Sequence, residues 1–426
     1  MLHSRRFFLK STGALAASLA VTPLDLFAEE PAAGGAAPAV TKGKTLVLIF
    51  LRGGADGLNL VVPWKDPNYR RIRKSIALPS PGEGAGPGRV LDLDGSFGLH
   101  PKLAPLLPHF EAGIAVALHA VGHDRNTRSH FEEQDAWETA VIGDSLRADG
   151  WVNRHLLSTS GHGPIRAVAI GNALPRIMHG KGCAYAVHGI DDLALPGSRM
   201  GETAAADALR KAYACEEGGR NRAARELLAE TAQGTLDGVD QLKGIVGRPY
   251  TPLKPYPVSE LGGKLMQAAR LIKSKVGVEV LEIDYDGWDT HQYQGGAEGT
   301  FANLAGGLAE AVSAFLNDLG DHAQDVLVMT LSDFGRTASE NGTFGTDHGW
   351  ANVMFAFGPA VRRADGKRLI GRWPGLAPDQ LHEKRDLMHT TDFRDVMAEG
   401  LRLHLGHPDA GRVLPGRTFE SVGLLA

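Results

Sequence analysis

Four short motifs carry residue types that could do metal chemistry. Three lie in the second half of the chain: Asp286-Gly-Trp-Asp289-Thr-His291, Ser332-Asp333-Phe-Gly-Arg336-Thr337 and Gly345-Thr-Asp347-His348-Gly349. The fourth, Arg52-Gly-Gly-Ala-Asp56-Gly-Leu-Asn59, lies near the start. Carboxylates and imidazoles are donors that divalent metals take. The candidate ligands are Asp56, Asp289, His291, Asp333 and His348, with Asp286 and Asp347 behind them. Several carboxylates gathered in one place repel and do not all stay ionised without a cation. One or two divalent ions would resolve that, and this donor set does not distinguish Zn, Mn, Mg and Ca. Two ions would also orient a hydroxyl or water against a phosphoryl or sulfuryl group. Arg336 adds a fixed cation suited to a tetrahedral oxyanion. Taken singly, each aspartate reads better as a turn former, and His291 as a hydrogen-bonded loop histidine. The joint pattern is what points to a site.

A nucleophile is sought in His123-Asp-Arg-Asn-Thr127-Arg128-Ser129-His130. Ser129 followed by Glu132 spells a capping box at a helix start. The same hydroxyl would face free N–H groups and the positive end of the helix dipole. Beside Arg125, Arg128 and His130, that position suits a phosphate or sulfate ester, with Ser129 or Thr127 as nucleophile. The cap is the commoner role, because helix starts are many and nucleophiles few.

These motifs need elements to hold them. Residues 45–51, 114–121, 278–284 and 326–332 are apolar runs, and each ends in Gly, Asp or His. Continuous apolar runs mark strands buried on both faces. Helical spacing over 301–319 separates two of them, the pattern of a βαβ unit. Further strands are expected at 166–170, 184–187 and 351–357. Helices are expected near 100–110, from Ser259 to about 274, and from about 392. The expected fold is α/β, a doubly wound and mostly parallel sheet flanked by helices. In such sheets ligands bind at the carboxyl ends of the strands. Residues 202–247, rich in Ala, Glu, Arg and Leu, read as a helical insertion.

Composition excludes some classes. The chain has 426 residues, a net charge of −4 and 43% hydrophobic residues. That is ordinary for a globular protein, and no basic run argues for nucleic acid. Beyond the N-terminus no apolar stretch reaches the length of a membrane span. Cys183 and Cys215 make neither a disulfide framework nor a zinc ribbon, and two separate thiols is the simpler reading. The start, Ser4-Arg5-Arg6-Phe-Phe-Leu-Lys10 and a mild apolar run, resembles a twin-arginine signal. It implies the twin-arginine translocase as partner and a periplasmic or extracellular destination. Residues 1–28 would be the signal, with Ala20 or Ala28 at the cleavage site. Residues 29–43 would be a disordered leader and 44–426 one domain.

The motifs together resemble those of the bacterial domain-of-unknown-function 1501 family. That family is similar to alkaline phosphatases, sulfatases and cofactor-independent phosphoglycerate mutases. The resemblance covers nearly all of the mature chain, and Arg128-Ser-His-Phe131 belongs to it. It implies an alkaline-phosphatase-like core with two metals at the strand ends. Asp56 then matches the first-strand metal aspartate, and Ser129, or secondarily Thr127, the nucleophile. Asp289 and His291 match the Asp/His pair of one metal, Asp333 the aspartate of the other, and His348 the last histidine. Two features depart from the pattern. The spacing of Asp289-Thr-His291 is short, and Phe334 stands where a histidine is usual. One metal then lacks a ligand unless His130, His123 or Asp347 supplies it. No cysteine lies in the context of a formylglycine sulfatase. The resemblance thus implies an exported metal-dependent hydrolase of phosphate or sulfate esters, with Arg128 or Arg336 holding the ester. The alternative is a non-catalytic exported protein on the same scaffold that binds a glycan or a cell-surface partner.

Overall fold

A computed structural model describes residues 39–425, apart from 84–85, 144–147, 162, 164, 191–243, 246–247 and 362–365. The signal at 1–28, residues 202–243 of the expected insertion, and Cys215 lie outside the described residues.

Five strands build the centre of a nine-stranded sheet: β1 (Thr45–Leu51), β2 (Ala115–Gly122), β3 (Val280–Tyr285), β4 (Val326–Ser332) and β5 (Asn352–Phe357). Their order across the sheet is β2-β5-β4-β1-β3. Short strands extend both edges: Leu369–Ile370 and Thr391–Asp392 beside β2, and Ala167–Ala169 then Tyr185–Ala186 beside β3. The pairs β3·β1 and β4·β1 are parallel, with Tyr285 and Ser332 both opposite Leu51. Only β5 runs against its neighbours, pairing antiparallel with β4 and β2. The sheet is therefore α/β and mostly parallel, as its apolar runs require. β1, β2, β3 and β4 all point the same way, so four loops leave one rim.

Alternation along β1 sends Val47, Ile49 and Leu51 to one face and Leu46, Leu48 and Phe50 to the other. Helices α2 (Glu260–Lys273) and α3 (Thr300–Leu319) cover the first face. Helix α1 (His130–Thr139), the Trp151–Ser158 helix and Phe393–Glu399 cover the second. Ser259 caps α2 by accepting from the Gly262 N–H, as its residue type predicts. Residues 39–43 of the leader expected over 29–43 are placed against the fold. Ala39–Val40 pairs in parallel with Thr159–Ser160, and the buried Thr41 hydroxyl donates to Glu279 at 2.8 Å. A buried carboxylate that needs donors holds this stretch in place.

Candidate metal centre

Glycines let the rim loops close on one another. After β1 the chain turns through Gly53 and Gly54, with φ of +113° and +73°. A Cβ on Gly53 would lie 2.6 Å from the Asp289 nitrogen, and one on Gly54 would lie 2.6 Å from the Phe334 ring. Only glycine accepts both the left-handed backbone and the contact. Trp288 anchors the next loop. It is fully buried, edge-on to Tyr285 and Phe301 at 5.7 Å each. Burying such a side chain contributes roughly 2–3 kcal/mol. Asp289 and His291 project from the far side of that anchor.

Three imidazoles converge on Asp289. Its Oδ1 lies 3.0 Å from His291 Nε2, 3.1 Å from His348 Nε2 and 3.5 Å from His130 Nε2. The Nε2 atoms of His291 and His348 are 2.9 Å apart. Each ring is fixed through its other nitrogen. His130 Nδ1 is 2.7 Å from Asp333 Oδ2, His291 Nδ1 is 2.9 Å from Asp347 Oδ1, and His348 Nδ1 is 2.8 Å from the Arg128 carbonyl. A carbonyl only accepts, so His348 donates from Nδ1 and, when neutral, presents a lone pair at Nε2. This orientation of ring by acceptor is the usual support of a metal-binding histidine. His130 Nε2 is buried and has no hydrogen-bond partner among the described residues. His130, Asp289 and His348 each offer an atom within 4.8 Å of the others. Tetrahedral ligands about 2.1 Å from an ion stand about 3.4 Å apart, so the separations around Asp289 Oδ1 fit an ion.

The electrostatics agree. Burial pushes the Asp289 carboxyl up, but Arg336 and the imidazoles outweigh it and hold it below the usual range. Burial likewise opposes ionisation of Asp333, and the hydrogen bonds from His130, Gln134 and the Gly53 N–H overcome it. The Asp333 hydrogen bond raises His130, against its burial. Burial lowers His348.

Several expectations are corrected. Asp56 is not in this cluster. It is fully buried, paired with Arg73 at 2.6 Å, and accepts from Gln294 at 2.6 Å. A guanidinium already neutralises it, and its Oδ1 has no hydrogen-bond partner among the described residues. Through Gln294 it braces the 290–294 loop instead. Asp333 is buried with both oxygens taken by His130, Gln134 and Gly53, so it orients a histidine rather than facing an ion. Arg336 is not an oxyanion clamp. Its buried guanidinium donates to the carbonyls of Gly53, Gly54, Trp288 and Thr346 and to Asp289 at 2.6 Å. Arg128 is likewise committed, to Asp386 and Glu383, and its carbonyl does the orienting. His123 pairs with Glu133 at 2.6 Å, apart from the cluster.

Ser129 stands at the N-terminus of α1, but its side chain makes no capping hydrogen bond. Glu133, not Glu132, reaches back to the Thr127 N–H and hydroxyl, at 2.7 and 3.0 Å. Thr127 is therefore engaged, whereas the Ser129 hydroxyl has no hydrogen-bond partner among the described residues. Phe334 is buried between the imidazoles of His130 and His348, 4.8 and 4.7 Å from them. It walls the site where a ligand was expected. Gln134 was missed, and only its position one turn after His130 could have signalled it. A cavity of about 990 Å³ lined by Phe97, His119 and Trp373 lies at the sheet edge and includes none of these residues.

The chain matches the family described as "Protein of unknown function (DUF1501)" over residues 200–416. No curated protein sequence matches it. Among solved structures it is similar to the PsFucS1 sulfatase from Pseudoalteromonas sp., with 11% identity and a TM-score of 0.34 over 90% of this chain and 73% of that one. It is similar to the lipoteichoic acid synthase LtaP from Listeria monocytogenes, with 8% identity and a TM-score of 0.24 over 74% and 65%. A TAB5 alkaline phosphatase mutant gives 15% identity and a TM-score of 0.26 over 74% and 92%.

Proposed function

The chain belongs to the DUF1501 family, a family of unknown function, and from its own residues we propose that it is a metal-dependent hydrolase of phosphate or sulfate esters. The observation that carries this reading is the convergence of three oriented imidazoles on one carboxylate. His130, Asp289 and His348 would hold a divalent ion, with His291 adjacent. Nitrogen-rich sets of this kind suit zinc and other borderline metals better than calcium or magnesium. A bound ion would supply positive charge toward an ester's oxyanion.

The residues of the chain do the rest. Asp333, Asp347 and the Arg128 carbonyl orient the rings. Arg336 fixes Asp289 and ties it to the Gly53–Gly54 turn. Ser129, uncapped beside His130, is the nucleophile of this reading. Its Oγ would bond to phosphorus or sulfur, and the alcohol would leave with a proton. Water would then release the acid from Ser129. The free N–H groups of α1 favour the anion there. Export through the twin-arginine translocase is part of the same proposal and rests on Ser4-Arg5-Arg6 and the run that follows.

The test is calorimetric titration with Zn²⁺ and Mn²⁺, followed by turnover of 4-nitrophenyl phosphate and sulfate. One ion should bind with His348→Ala abolishing it, and Ser129→Ala should remove turnover while keeping the ion. Absence of stoichiometric binding would overturn the reading, and unchanged turnover would remove Ser129 from its role.

A further inference from the structure

Three aromatic side chains are exposed among the described residues: Phe131 at 89%, Tyr293 at 72% and Phe344 at 52%. Each flanks the proposed centre. Phe131 follows His130, Tyr293 is two residues after His291, and Phe344 is three before Asp347. Large aromatic groups left in water at one place mark a binding surface more often than chance exposure.

Two of the three are also held against the preference of their backbone. Tyr293 has φ +45° and Phe344 has φ +60°, a region that bulky residues avoid. Paired hydrogen bonds impose it: Tyr293 N–H to the Thr343 carbonyl at 2.9 Å, and Gln294 N–H to the Phe344 carbonyl at 3.0 Å. The Thr343 hydroxyl and the Asn341 amide both donate to the His291 carbonyl, at 2.8 and 2.9 Å. The strained pair is thus tied directly to a residue of the centre. The two rings stack, 6.0 Å apart and 29° from parallel. Strain kept at an exposed pair needs a use there, since glycine would relieve it at both positions.

We propose that Tyr293 and Phe344 seat the sugar ring of a pyranose phosphate or sulfate ester beside Asp289. This rests on the hydrolase reading above and names its substrate class. A pyranose has an apolar C–H face that stacks on an aromatic ring, and hydroxyls around its edge. The rim offers both partners. Tyr293 brings its own hydroxyl, while Thr343 and Asn341 are spent holding the turn to the His291 carbonyl. A fatty chain would need a continuous apolar channel, and polar groups interrupt this surface.

The test uses the full chain loaded with Zn²⁺ and the double variant Tyr293→Gly/Phe344→Gly, which removes the rings and relieves the strain. Probes are the 6-sulfates and 6-phosphates of glucose, galactose, mannose and N-acetylglucosamine, with methyl sulfate and methyl phosphate as ringless esters. Saturation-transfer NMR reads ring contact independently of turnover. At least one sugar ester should show transfer to its C–H protons. The double variant should lose that signal and about tenfold in kcat/KM, the scale of an aromatic contact, with the loss confined to sugar esters. Equal losses on methyl esters, or no transfer to any sugar, overturn the rim assignment while Zn²⁺ binding stands. Failure to bind Zn²⁺ overturns the hydrolase reading instead, and the NMR arm still decides the rim.

Discussion

His130 holds the key position at the scale of single residues. Its Nδ1 faces Asp333 and its Nε2 faces Asp289, so one ring joins the buried support to the half-exposed carboxylate. Asp333→Asn should keep the fold and weaken Zn²⁺ binding by about 10- to 100-fold, the usual cost of losing an orienting carboxylate. Calorimetry of that variant checks it. Asp56→Asn should behave the other way. Zn²⁺ affinity should stay close to that of the unmodified chain while stability falls, by about 3–5 kcal/mol if Arg73 is left unpaired in the core. A urea midpoint compared with a Zn²⁺ titration separates the two effects. Metal binding should also weaken as pH falls. The Asp333 hydrogen bond holds His130 above its ordinary value, and an ion must displace that proton. Affinity measured from pH 8 down to 5.5 should therefore decline, with protons released on binding. An affinity flat over that range would contradict His130 as a ligand.

At the scale of elements, the site is made by loops pressed together. Gly54 is a close-packed point, because Phe334 fills the space a side chain would need. Gly54→Ala should cost about 1–3 kcal/mol through overpacking and backbone strain. It should also lower Zn²⁺ affinity, since Phe334 cannot move without moving the rings of His130 and His348. Thermal melting with and without Zn²⁺ reads both. The strands that launch these loops were plain in the amino-acid pattern. The runs at 45–51 and 326–332 form strands with those bounds, and the helix expected over 301–319 spans Thr300–Leu319. Continuous apolar runs state burial on both faces, and that needs no tertiary knowledge. The antiparallel course of β5 was not legible, because direction leaves no mark in a strand's composition.

The whole molecule carries many buried imidazoles outside the centre. Burial pushes His100, His119 and His404 down to about 4 each. Unfolding frees them to protonate near 6.5, so the unfolded chain binds more protons and stability falls as pH drops from 6.5 towards 4. Each contributes a loss of roughly 3 kcal/mol by pH 4, a large part of the stability of an ordinary domain. Glu279 adds to this at lower pH. Its burial would raise it, but His155 and Arg166 hold it near 2, so its contribution is full above its unfolded value and is lost as pH falls towards 2. Urea midpoints should fall steadily over this acid range, and His119→Gln should flatten the upper part of the curve. The amino-acid sequence by itself determined the α/β class, the strands and the rim that their loops leave from, because periodicity and burial are local properties of residue type. It also named Asp289, His291 and His348, which sit on the loops those strands launch. Which carboxylates face a shared point was decided only by the tertiary structure. Asp56 and Asp333 look like ligands in the chain, yet Arg73 and Gln294 hold Oδ2 of the first, and His130 and Gln134 hold Oδ2 of the second. Those partners lie from 17 to 238 residues away for Asp56, and about 200 away for Asp333. Charge neutralisation of that kind is a property of packing, which no local spacing encodes.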